Sequence, residues 1–295
     1  MTSPLQIDTD TFEALLSAGQ TDKAWALLEP GLAGLERNLP YALCLADLLH
    51  ADAGHARLMD LALRLSRAWP TTAALMIRLS AALVAAAERR PPDEPPFERG
   101  PAHLAAAICQ NCFDSLGATE RQDPTVGGRL KANEANALRL MGPEHDEDSL
   151  KAFQLASTID DSNGHWWFQR GLLHKWRGRF GDGSLANGKA LERLGDSRPL
   201  LFNQAIFATA LGEGERAVEA WRRVGIDARL NDAGMAVVEG MPRARVRVAT
   251  VGYETGRNDP LPGPTVAFET VWVQPFSPCH GAIISPTVRR ATVDQ

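Results

Sequence analysis

The chain has 295 residues, enough for one large domain or two ordinary ones with a sizeable core. A hydrophobic share of 44% with 23% charged residues excludes a disordered or fibrous chain. The formal charge of -5 argues against a dedicated nucleic-acid binder, although a local basic patch can survive in a mildly acidic whole. Only five of the 31 basic residues are lysines, and with abundant alanine this bias suggests a GC-rich bacterial genome. The N-terminal MTSPLQIDTD has neither a basic nor an apolar signal region, and the longest apolar run, near Leu79 to Ala87, is far below the roughly 20 residues of a membrane span. A cytoplasmic protein without a membrane partner is expected. Its four cysteines, Cys44, Cys109, Cys112 and Cys279, are then free thiols.

From Thr11 to about Gly225, apolar residues recur at three and four positions, which predicts amphipathic helices separated by Gly, Pro or Asp. The expected helices lie near 9–18, 22–36, 40–53, 55–69, 71–88, 101–117, 127–141, 147–160, 164–177, 181–195, 198–212 and 214–224. The stretch 89–101, RRPPDEPPFERGP, holds five prolines and reads as a linker or strap, because proline removes a helical donor and pushes its predecessor toward extended backbone. It separates an N-terminal helical block, 1–88, from a second one, 102–227.

Self-comparison is the strongest signal. Gly171 and Ala205 are 34 apart, as are Gly178 and Gly212, Phe168 and Phe202, Leu172 and Ile206, and Ala156 and Ala190. Small residues at Gly171, Ala190 and Ala205 let paired helices approach, while Gly178 and Gly212 suit the positive φ that ends a helix. A period of this length with two helices resembles the tetratricopeptide repeat (TPR), most specifically over 130–225. Trp167, Gly171, Gly178 and Ala190 match the pattern in one unit, and Gly212, Ala217 and Trp221 match it in the next. Asn187 and Ser149 depart from it, and Ile159-Asp160-Asp161 lacks the usual turn proline. Over 9–88 the match rests on Gly19 and Gly54, 35 apart, with Ala24 and Pro70.

The resemblance implies a mainly α, TPR-like helix-pair solenoid that acts as a scaffold or adaptor, binding a peptide or partner protein. It implies that Phe168, Gln169, Leu172, Lys175, Trp176, Phe202, Asn203, Ile206 and Thr209 line a groove. Gln169 and Asn203 match a position that often hydrogen-bonds a bound peptide. The same surface is equally suited to docking against the C-terminal segment.

That segment, 228–295, changes texture. Arg243 to Thr250, Val266 to Gln274 and Ala282 to Ser285 read as strands, with turns at Gly256 to Pro264 and Pro275 to Gly281. Alternation puts Arg243, Arg245 and Arg247 on one face, where they either grip phosphate or an acidic partner or, more plainly, sit opposite carboxylates such as Glu269. The ending VRRATVDQ suggests a chain that continues. No motif for a cofactor or for a known catalytic mechanism is present, so neither a cofactor nor enzymatic activity is expected. Cys109-x-x-Cys112 lacks matching ligands and reads as packing, with metal or redox use as the alternative. Cys279-His280 is the place for a competing enzyme or thiol-dependent module, because adjacent residues oppose one another in a strand but not in a turn.

Overall fold

Helix-forming periodicity decides most of the chain. The computed structural model describes residues 7–89, 100–252, 265–277 and 279–287, so most of the proline-rich stretch and the turn at 256–264 lie outside the described residues. Two units divide at Leu173 and His174.

The first unit contains α1 (Thr9–Ser17), α2 (Thr21–Leu28), α3 (Leu39–Ala51), α4 (Leu58–Ala68), α5 (Ala73–Glu88), α6 (Gly100–Ser115), α7 (Ala118–Arg121), α8 (Arg129–Met141), α9 (Asp146–Ile159) and most of α10 (Gly164–Trp176). Asp8 starts α1 by accepting from the Thr11 N–H at 3.1 Å, and Asn38 starts α3 by accepting from the Tyr41 N–H at 3.2 Å. The helix expected over 22–36 instead stops at Leu28. Pro30 enters the chain and residues Glu29–Arg37 tighten into 3₁₀ turns. Tyr41 locks that change: its hydroxyl accepts from the Gly31 N–H at 3.1 Å, and a Cβ at Gly31 would lie within 2.3 Å of the Tyr41 ring. A second departure is Pro124–Gly128, a π-helical turn leading into α8.

Leucines one helical turn apart build a continuous core from Phe12 to Ala137, with Leu45, Leu48, Leu49, Leu61, Leu65, Leu79 and Leu83 fully buried. Burying each such side chain contributes about 1.5–3 kcal/mol. Cys109 and Cys112 lie in this core at 0% exposure.

The second unit contains the last turn of α10, then α11 (Phe180–Leu194), α12 (Arg198–Ala210) and α13 (Gly214–Arg223). Helix starts repeat at 34 residues, Gly164 to Arg198 and Phe180 to Gly214, and Gly178 and Gly212 end the first helix of each pair at φ of 69° and 74°. This is the mainly α, TPR-like helix-pair architecture that the repeat implies. Trp221 anchors a small core with Ala205, Ala208 and Ala217.

Two sheets follow. The ladder β1 (Arg229–Leu230) with β2 (Ala236–Val237) was not legible from alternation, being two residues long; Asn231 holds its turn by accepting from the Ala233 and Met235 N–H groups. The second sheet is antiparallel in the order β3 (Ala244–Gly252), β4 (Thr265–Pro275), β5 (Gly281–Ile283). Its register pairs Val248 with Glu269 and Arg245 with Trp272.

Candidate functional site

The repeat places α12 one period after α10, and the side chains of interest lie on α12 and at the end of α10. Asn203 is only 3% exposed. Its Oδ1 accepts from Lys175 Nζ at 2.7 Å, while its Nδ2 is buried with no hydrogen-bond partner. Such an unmet donor costs about 1–3 kcal/mol, so an acceptor placed there would recover that energy. Burial pushes the Lys175 ammonium below its ordinary pKa, opposed by the nearby Cys279.

Two large rings stand beside this pair in sequence and remain open to solvent: Trp176 at 48% and Phe202 at 38%. Phe202 meets Trp221 edge-on, with centroids 5.2 Å apart. Ile206 is half-buried. Thr209 plays a different part. It is buried, its hydroxyl donates to the Ala205 carbonyl at 2.7 Å and accepts from Trp221 Nε1 at 2.8 Å, which orients the indole from below. Phe168, Gln169 and Leu172 are half-buried residues of α10 that belong to the first unit.

The C-terminal turn lies against α12. Ser277, 2% exposed, knits it by accepting from the Cys279 N–H at 3.1 Å and the His280 N–H at 2.9 Å. Phe276 stacks on the His280 ring at 6.0 Å. Cys279 Sγ then reaches the Ile206 carbonyl at 3.6 Å. The turn was expected from its prolines and glycine, but the serine-centred knot was not, because Ser277 carries no signal until its neighbours fold back.

This geometry does not activate the thiol. His280 Nδ1 faces Ser277 Oγ at 3.2 Å, and burial pushes Cys279 up to about 11, opposed by the Lys175 charge. Burial likewise pushes Cys109 up to about 12 and Cys112 to about 11. Among the described residues no group of three or more His, Cys, Asp or Glu could hold a metal ion.

Comparison with solved structures gives several matches. A TPR protein of the thermophile Thermus thermophilus is similar over 68% of this chain and 96% of its own, at 18% identity and a TM-score of 0.47. No family model and no curated protein matches the chain.

The first unit has concavities of its own. A cavity of about 510 Å³ opens where the π-helical turn meets the start of α10, lined by Thr125, Arg129, Asn133, Asn163, His165 and Trp166. Another, of about 430 Å³, lies among α1, α3 and α5, with Phe12, Leu43 and Cys44 in its wall and Arg78 bonded to Asp47 at 2.5 Å. Among the described residues no helix is long and apolar enough to cross a membrane.

Proposed function

We propose that this protein is a protein-interaction scaffold of a bacterial cytoplasm that holds a peptide segment of its partner along α12 in the second unit. Lys175 and Asn203 are the polar anchor, and Trp176, Phe202 and Ile206 are the apolar contacts. One observation carries the reading: a buried asparagine whose acceptor is engaged by a lysine and whose donor is unmet. A peptide carbonyl or carboxylate is the group that such a donor lacks. Shape and exposed rings then set which side chains a guest can bring. Phe168, Gln169 and Leu172 are further candidates on α10. Thr209 acts through Trp221 and supports the surface from beneath.

The Cys279 turn contacts the same helix at the Ile206 carbonyl, so on this reading a guest on α12 competes with the turn. The second reading follows from the same contact: the surface serves the chain's own turn and no guest. Selection of a displayed library of short random peptides on the whole protein separates the two. Peptides that bind wild type and lose tenfold or more affinity toward Lys175→Glu and Trp176→Ala support the scaffold. Peptides indifferent to both substitutions, or no enrichment even when Ser277→Ala loosens the turn, overturn it.

A further inference from the structure

The register of the three-stranded sheet gathers a surface that the α12 reading does not use. Arg245 stands directly opposite Trp272, and its guanidinium lies 5.7 Å from the centre of the indole. By alternation Arg243 and Arg247 share that face, and all three arginines are exposed. Trp272 is 46% exposed, and so is Ile284, whose N–H donates to the Trp272 carbonyl at 2.8 Å. Thr270 pairs with Arg247, and Gln274 spends its amide on the Met241 and Pro275 carbonyls. Glu269 is registered with Val248. The β4 residues registered with Arg245 and Arg247 are thus Trp272 and Thr270, neither of them acidic, although the whole chain is acidic.

Alternate residues of a strand are about 6.6–6.8 Å apart, comparable to the step between phosphates of an extended single strand. An exposed indole beside such a row offers what phosphate contacts alone do not, a plane on which a base can stack. A carboxylate-rich peptide would use the arginines and leave the indole idle. A bilayer surface would need a broader apolar face than one indole and one isoleucine.

From this we infer that the Arg243, Arg245, Arg247 and Trp272 face binds single-stranded nucleic acid without sequence preference, phosphates on the guanidiniums and a base on Trp272. The inference is independent of the α12 surface and stands or falls separately. With at most three phosphates engaged, the logarithm of affinity falls with the logarithm of salt at a slope of about −2.

The test is fluorescence anisotropy of a short labelled oligothymidylate against the whole protein, across a salt series. The expected result is saturable binding in low salt with that shallow slope, weakened about fivefold or more by Trp272→Ala, kept by Trp272→Phe and abolished by Arg245→Glu. A duplex of equal length should bind more weakly, because its bases are already stacked. Circular dichroism and thermal melting of each variant ensure that a loss is read only from folded protein. No saturable binding in low salt overturns the inference. So does binding unchanged in Arg245→Glu, or equal competition by polyglutamate or phosphatidylserine vesicles together with indifference to Trp272→Ala.

Discussion

The two units bury their chain by different means. In the first, leucines and alanines of α1 to α8 merge into one apolar cluster, in which Ser80 donates to the Ile77 carbonyl at 3.0 Å and accepts from Asn133 of α8 at 2.9 Å. In the second, a few alanines surround Trp221, and buried polar side chains at Asn187, Asn203 and Thr209 link helix to helix. Large apolar residues that the first unit would bury stand exposed there: Trp176, Leu185, Phe202 and Trp272. The difference teaches that the second unit gives up apolar core and keeps large apolar side chains on its surface.

Truncating each core breaks the comparison most sharply. Trp221→Ala should cost about 3–5 kcal/mol and remove any peptide captured on α12. Leu45→Ala should cost about 2–5 kcal/mol, with loss of amide protection confined to the first unit. Urea titration followed by hydrogen exchange checks both, and loss of protection in the first unit on Trp221→Ala would show that the cores are not separate.

Thiol chemistry comes next. Burial pushes Cys279, Cys109 and Cys112 to about 11, 12 and 11, so at neutral pH their reaction with a soluble disulfide should be slower than that of a free cysteine by roughly two to three orders of magnitude, and should recover in denaturant. Fast native labelling of Cys279 would revive a thiol-dependent role for the turn.

Thr209→Val is a smaller perturbation. It keeps the volume and removes the acceptor for Trp221 Nε1, so about 1–3 kcal/mol should be lost in chemical denaturation, with Thr209→Ser close to wild type. If Thr209→Val is neutral, the polar links of the second unit carry no weight.

The smallest effect belongs to the first unit. Burial raises the Glu134 carboxyl above its ordinary 4.5, although its bond to Lys131 Nζ at 2.7 Å pulls the other way. A raised folded value means that the stability it brings is fully present below the unfolded value and is lost as pH rises through the folded one. Denaturation from pH 4 upward should show this decline in wild type and a flatter profile in Glu134→Gln.

Legibility followed the length scale of the forces. Periodicity marked the long helices because a 3.6-residue apolar stripe is a local property, and Gly178 and Gly212 marked the turns because few other residues take positive φ cheaply. The break after Leu28 was missed because Pro30 alone is compatible with a bent helix; what stops this one is Tyr41 arriving over Gly31 from outside the segment. The π-helical turn at Pro124–Gly128 has no periodic signature at all. At α12, the resemblance identified Lys175 and Asn203 as neighbours of interest, but their bond, the unmet Nδ2 and the contact of Cys279 across 73 residues arise only when the chain closes.

The most direct measurement is amide hydrogen exchange of the whole protein with and without a peptide selected on it. Displacement of the turn by a guest on α12 predicts slower exchange along Arg198–Ala210 together with faster exchange at Cys279 and His280, whose amides donate to Ser277. Protection that falls elsewhere, or a turn whose amides do not change while the peptide is bound, would contradict it.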